Sequence, residues 1–385
     1  MNYDVVVCGA GPAGAHAARL LAAQGLAVAL LDRAAFPRDK PCGGAVSRKA
    51  LALLGDAIDA VVERRVTGAW IAFRGRAVAR DADGVVAAMT RRSALDALLV
   101  ERAVQHGARF FPGHAFAHLE ERGERVRVTT SRGAFEARLL LAADGAASAV
   151  RRAAFERGTV EFAPALEALV DVPPAAVERF ADRALLELDG ATGGYGWIFG
   201  KRDHLNVGVY SYRAGSGIRG ALEAFMARHP ALAARTRTRY LGHPIPVRNR
   251  AGAFERGRVW LLGDAAGLAE AVLGEGIFSA RASAEIAART LAAARGAPGP
   301  GDYARRVRRE LGPPLAAPAR LARAGYARPR GAFEHIGRNP HASRLFLGIV
   351  TGEVGYGECL LKAVAAAPLW ALARRTPTQP ADALG

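Results

Sequence analysis

Near its N-terminus the chain runs Gly9-Ala10-Gly11-Pro12-Ala13-Gly14. This GxGxxG spacing stands between an apolar run, Val5-Val6-Val7-Cys8, and a helix-forming stretch from Ala15 to Ala23. The chemistry open to such a turn is the holding of a pyrophosphate. Gly9 makes the tight turn, Gly11 lets the backbone approach the phosphates, and Gly14 lets the helix pack closely on the strand. The start of the helix adds unpaired N–H groups and a partial positive charge. A second apolar run, Ala27 to Leu31, ends in Asp32, eighteen residues past Gly14. That is near the spacing at which a carboxylate accepts hydrogen bonds from a ribose hydroxyl pair. Gly9, Gly11, Ala13, Gly14, Asp32 and its neighbour Arg33 therefore form a candidate dinucleotide site.

Two later segments carry an acid just after an apolar strand: Ala143-Asp144-Gly145 follows Phe135 to Ala142, and Gly263-Asp264 follows Arg258 to Leu262. Each acid has a second reading. Asp144 would cap the strand end, and Asp264 would cap the next helix.

The elements that must position these residues are legible in the pattern. Ser93 to His106 is an amphipathic helix, with Leu95, Leu98, Leu99 and Ala103 at helical spacing and Gly107 as a stop. Ala108 to Ala142 reads as a strand followed by a hairpin. From about 157 the character changes: Pro164, Pro173 and Pro174 are expected to break the chain before a mixed-sheet insert. A long helix is expected from Gly276 to Ala294, then a Pro/Gly break and a helical tail over 302–375. The expected architecture is α/β. A Rossmann-like dinucleotide-binding domain spans 1–156 and 257–300. A mixed β-sheet substrate domain (157–256) is inserted in it, and a helical C-terminal region covers 301–385.

With 385 residues, 51% of them hydrophobic, the chain is long enough for two domains with a sizeable core. It has no run of about eighteen apolar residues, so a spanning helix is not expected. The first strand begins at Tyr3, and no signal peptide is expected ahead of it. Three scattered cysteines (Cys8, Cys42, Cys359) show neither a metal spacing nor a disulfide framework and suit a reducing cytoplasm; no metal is expected. The formal charge of +17 comes almost wholly from arginine. It reflects either coding bias in a GC-rich genome or a basic surface facing anionic lipid. Nucleic-acid binding is not expected, because no basic run is interleaved with aromatics.

With its three glycine- and acid-bearing segments, the chain resembles flavoproteins of the p-hydroxybenzoate hydroxylase superfamily. Within it, the chain is similar to the geranylgeranyl reductase family. The resemblance covers residues 1 to about 375. It implies a glutathione reductase-type βαβ unit holding FAD. Asp264 would meet the ribityl or pyrophosphate region. Arg92, in Arg92-Ser93-Ala94-Leu95-Asp96, would hold the FAD, with the adjacent Arg91 as a rival. Gly274, Gly276 and Ile277 would form the turn at the flavin ring.

Two motifs narrow the family. Lys40-Pro41-Cys42-Gly43-Gly44 resembles the reductases' K-x-C-G-G segment, whose glycines Gly43 and Gly44 would let the backbone approach the flavin, with the Cys42 thiol beside it as proton donor or as a small buried hydrophobe. Tyr195-Gly196-Trp197-Ile198-Phe199 resembles their P-x-x-Y-x-W-x-F-P segment, with Thr192 and Gly200 where the prolines would stand. Tyr195, Trp197 and Phe199 would line an apolar channel, with a plain core role for Trp197 as the other reading. Thr351-Gly352 to Tyr356 resembles the family's T-G-x-x-x-Y segment. Leu360 to Arg375 reads as an amphipathic helix, either lying on a membrane or docked on the protein's own core.

The resemblance implies a reductase that saturates C=C bonds of an isoprenoid chain, with hydride from reduced flavin and a proton from Cys42, Tyr195 or a water they hold. The electron donor is NAD(P)H or reduced ferredoxin. The partners are then a lipid substrate and an anionic membrane surface, and the place is the cytoplasm or the inner face of the cell membrane. The competing readings are flavin monooxygenation or halogenation, and a non-enzymatic flavin electron carrier.

Overall fold

A computed structural model describes residues 2–156, 158, 160–212, 217–294, 298–359, 361–362 and 376–380. In chain order the strands are β1 (Asn2–Cys8), β2 (Val28–Asp32), β3 (Ala45–Ser47), β4 (Val62–Val66), β5 (Gly68–Phe73), β6 (Arg76–Asp81), β7 (Ala87–Thr90), β8 (Arg109–Pro112), β9 (Phe116–Arg122), β10 (Arg125–Thr130), β11 (Gly133–Ala142), β12 (Val160–Asp171), β13 (Arg183–Glu187), β14 (Gly194–Gly200), β15 (Leu205–Ser211), β16 (Arg237–Asn249), β17 (Glu255–Arg256), β18 (Val259–Leu261) and β19 (Gln379–Pro380). The helices used below are α1 (Pro12–Ala23), α2 (Arg92–Gln105), α3 (Ala149–Ala154), α4 (Ile218–Ala227), α5 (Ile277–Ala293) and α6 (Gly312–Ala327).

The chain divides into two compact units. The first comprises Met1–Lys40, Arg92–Phe162 and Ile245–Leu315. Its sheet runs β17-β18-β11-β1-β2-β8, with β18, β11, β1, β2 and β8 mutually parallel. Strands buried on both faces read as continuous apolar runs, as Val5-Val6-Val7 and Leu139-Leu140-Leu141 do. Helix α1 packs against α2 and α5. The Gly-rich turn thus sits at the C-terminal end of the central strand β1, where ligands of open α/β sheets bind.

The second unit comprises Pro41–Arg91, Ala163–Pro244 and Ala316–Gly385. Its main sheet runs β16-β12-β15-β14-β13-β5-β6-β19. Residues 41–91 group here because β5 pairs in parallel with β13. The tail groups here too: Phe333 packs with Ile71, Phe73 and Val78, and β19 pairs with β6. Side chains alternate between the two faces of each strand. Ile198, Val207, Val209, Ala168 and Val170 build one core with Leu222 and Phe225 of α4. The opposite face is left to Tyr195, Trp197, Phe199, Tyr210, Asn206 and Glu167.

Pro164 does not break the chain as expected; it lies inside β12. The ladder to β15 begins at Ala165, so the missing N–H removes no bond from it. The expected helix over Leu360–Arg375 lies outside the described residues apart from Leu361 and Lys362. Among the described residues, no helix is long and apolar enough to cross a membrane.

Candidate active site

In the first unit, the nucleotide turn is built from backbone and two carboxylates. Gly9 has φ +97°, a conformation glycine adopts without strain. Its N–H donates to the Leu31 carbonyl at 2.7 Å, and the Ala143 N–H donates to that of Cys8 at 2.7 Å. Asp32 fastens the turn itself: it accepts from the Ala10 N–H at 2.8 Å and the Ala34 N–H at 2.9 Å. Arg33 is exposed, while Ala13 is buried in the first turn of α1.

Arg92, not Arg91, belongs to this turn. Its guanidinium forms a two-pronged bond to the buried Asp96, at 2.9 and 2.7 Å. Arg91 binds Glu63 and Asp203 in the second unit instead. Arg38, which the sequence did not single out, also reaches Asp96, at 3.3 Å. A Cβ on Gly11 would lie 3.7 Å from Arg38 Nη2 and 3.9 Å from Arg92 Nη2. The open front of Gly11 is therefore bordered by two cations and by the start of α1, a donor set that fits a pyrophosphate.

Asp264 stands in a 3-10 turn, Gly263–Ala266, 3.4 Å from Lys40 Nζ. A Cβ on Gly276 would lie 2.9 Å from its Oδ1. Gly274, at φ +69°, and Gly276 lead into Ile277, the first residue of α5. Ahead of them the buried Glu270 accepts from the Val272 and Leu273 N–H groups and so shapes this loop. Asp144 ties down the start of the next helix, not the strand end: it accepts from the Ala149 and Val150 N–H groups at the start of α3 and from the hydroxyl of Ser148, the helix's N-cap. Burial raises its carboxyl above the usual range, opposed by those hydrogen bonds.

In the second unit, β14 presents Tyr195, Trp197 and Phe199 on one face. The Trp197 indole lies over Gly208 of β15, so close that a Cβ there would be 2.1 Å from the ring. Its N–H donates to Asn206 Oδ1 at 2.7 Å. Tyr195 sits among Trp197, Tyr210 and Tyr326 of α6, the last stacked at 6.5 Å between ring centroids. Tyr326 lies far along the tail and carried no sequence signal. At Gly200, where the resembled motif has proline, the Phe180 carbonyl comes within 2.4 Å of where a Cβ would be. This chain has no room for the ring.

The Cys42-Gly43-Gly44 loop belongs to the same unit. A Cβ on Gly43 would meet the Phe199 ring at 2.9 Å, so glycine is what lets the loop lie on the aromatic face. The Cys42 N–H donates to Glu167 Oε1 at 2.9 Å, and the Gly44 N–H donates to Cys42 Sγ at 3.4 Å. Lys201 Nζ donates to the Gly43 carbonyl at 2.7 Å and to the Thr90 carbonyl at 3.1 Å.

Burial pushes the Lys201 ammonium down to about 8, while Cys42, Glu63 and Glu167 act in the opposite direction and Arg91 adds to the lowering. In the unfolded chain a lysine titrates near 10.4. Between these values the unfolded state holds the proton that the folded state has lost, so stability rises with pH. The contribution is complete above the unfolded value and lost as pH falls to about 8. Relative to Lys201→Met, the wild type should gain on the order of 3 kcal/mol as pH rises across this window. Urea unfolding of both proteins at each end of it checks this; a constant gap would mean that Lys201 is charged throughout.

A model of an FAD binding domain matches residues 2–188. With the turn, the two arginines and the parallel sheet, this defines an FAD-dependent oxidoreductase. The chain is 31% identical to the geranylgeranyl diphosphate reductase of Rhodobacter capsulatus over 297 residues, covering 75% of this chain and 74% of that one. It spans 65% of the chloroplastic geranylgeranyl diphosphate reductase of Arabidopsis thaliana, to which it is 30% identical. Among solved structures, a geranylgeranyl bacteriochlorophyll reductase-like protein of Thermoplasma acidophilum shares its fold (TM-score 0.72, 20% identity, 96% of this chain and 99% of that one). So does a flavin-dependent brominase (TM-score 0.72, 19% identity, 96% and 99%). The chain belongs to the geranylgeranyl reductase family of FAD-dependent oxidoreductases.

Proposed function

We propose that this enzyme saturates carbon–carbon double bonds of an isoprenoid chain of the geranylgeranyl type. The observation that carries the reading is the aromatic face of Tyr195, Trp197, Phe199, Tyr210 and Tyr326 with the Cys42-Gly43-Gly44 loop resting on Phe199. Such a face suits a long prenyl chain, because each CH₂ removed from water contributes roughly 0.8 kcal/mol. The relatives named as geranylgeranyl diphosphate reductases support the same substrate class.

Bound FAD, once reduced, supplies the hydride. Arg38, Arg92, Asp264 and the Gly9–Gly14 turn would hold it. The aromatic face holds the alkene and keeps water from it. An isolated alkene accepts hydride poorly, so protonation of the second carbon is the demanding part. Cys42 and Tyr195, or a water they bind, are the candidate proton sources in this unit.

The reaction predicts turnover without dioxygen. Dithionite-reduced enzyme, given geranylgeranyl diphosphate under anaerobic conditions, should yield a product heavier by two hydrogens per reduced bond, read by mass spectrometry. A strict oxygen requirement, or a product with added oxygen or halogen, would overturn the reading in favour of a monooxygenase or halogenase.

A further inference from the structure

One carboxylate and one ammonium, both almost wholly out of water, hold the backbone of the Cys42 loop. Glu167 is 4% exposed and Lys201 is 2% exposed. Neither was prominent in the sequence. Both bind main-chain groups of this loop and its neighbour: Glu167 takes the N–H of Cys42, and Lys201 gives hydrogen bonds to the carbonyls of Gly43 and Thr90. The Thr90 N–H in turn donates to the Gly44 carbonyl at 2.8 Å. A loop on a protein surface ordinarily satisfies such groups with water. Here they are met by charge-assisted bonds, which are shorter and stronger than neutral ones.

The same carboxylate extends to the aromatic face. Glu167 Oε2 accepts from Asn206 Nδ2 at 3.1 Å, and Asn206 Oδ1 accepts from the Trp197 indole N–H at 2.7 Å. Cys42 and Trp197 are thus tied through two buried side chains. Phe199 meets Gly43 directly on the same face.

We propose that Glu167 and Lys201 are positioning residues that lock the Cys42-Gly43-Gly44 loop to the Trp197 face, fixing the thiol relative to the bound prenyl chain. The proposal rests on the reductase reading for the role of that geometry, but the lock itself is a property of the protein with or without substrate. Misplacement by about 1 Å is enough to cost on the order of 100-fold in rate.

The test uses the FAD-loaded full chain carrying Cys359→Ser. Cys8 is buried in β1, so Cys42 is the thiol that iodoacetamide reports; its rate is divided by the thiolate fraction read from each variant's rate–pH profile, because both substitutions change the charge beside it. Lys201→Met should raise its alkylation rate about tenfold and lower kcat about 100-fold, with KM within a few-fold. Glu167→Gln is isosteric and keeps an acceptor for the Cys42 N–H. It should raise alkylation about threefold and lower kcat about tenfold. If Lys201→Met does not retain FAD, the Glu167→Gln pair of readouts decides alone. Unchanged alkylation in the FAD-retaining variants overturns the lock. Faster alkylation with wild-type kcat overturns its role in positioning. An inactive parent protein refutes the reductase reading instead, and the alkylation rates still judge the lock.

Discussion

Gly11→Val should give a folded but colourless protein, whereas Gly14→Ala should lose both flavin and stability. A Cβ at residue 14 would lie 1.8 Å from the Gly9 carbonyl oxygen and 3.1 Å from the Ala143 Cβ. Those are atoms of the turn and of the adjoining strand end, with no flexible side chain to swing aside. The start of α1 would have to lift off β1, at the upper end of the ~1–3 kcal/mol typical of overpacking. Gly11 is different. Its φ of −76° and ψ of −170° suit any residue, and the nearest atoms are the guanidinium tips of Arg38 and Arg92. A valine there costs the fold little but fills the front of the turn, where the pyrophosphate must approach. Visible flavin absorbance after purification and denaturant unfolding separate the two effects. Yellow Gly11→Val protein would show that FAD is held elsewhere.

Trp197→Ala should destabilise the second unit by about 3–5 kcal/mol, the usual range for deleting a buried large aromatic. That is a large share of the total stability of a typical domain. The indole fills the space over Gly208, and its N–H is bonded to the nearly inaccessible Asn206. Truncation therefore leaves a void and takes a donor from a buried acceptor. Trp197→Phe keeps most of the volume and loses only the N–H, so it should cost about 1–3 kcal/mol. Its loss of prenyl-chain affinity should also be smaller. Both variants should retain FAD, because the nucleotide turn is built within the first unit. Urea unfolding and flavin content check this. Equal stability of all three proteins would place the indole outside the core packing.

The nucleotide half of the site was legible because its information is local. Fourteen residues contain strand, turn and helix, and each glycine answers a demand made by its near neighbours. Asp264 follows a readable strand in the same way, whereas the Gly274–Ile277 turn was marked only by the family resemblance. At Asp144 the structure shows a role that neither reading named, at the helix start five residues on.

The other half depended on tertiary structure. Lys201 meets Gly43 across 158 positions, and Glu167 meets Cys42 across 125. Nothing in the spacing of these residues marks them, since a charged side chain in a strand, like Glu167, or just past one, like Lys201, reads as solvent-facing until sheet pairing encloses it. The pairing of β14 with β15 put Gly208 under Trp197, and α6 brought Tyr326 onto Tyr195. Arg91 and Arg92 divide along the same line. Arg92 meets Asp96 four residues on along one helix, a local spacing, whereas only the fold brings Glu63 and Asp203 to Arg91. Short-range periodicity determined which segments are strands and helices, and the spacing of glycines and Asp32 marked the candidate dinucleotide site. Where Glu167 and Lys201 find their partners was decided by long-range packing, because a charge leaves water only where a partner compensates it, and theirs lie more than a hundred residues away.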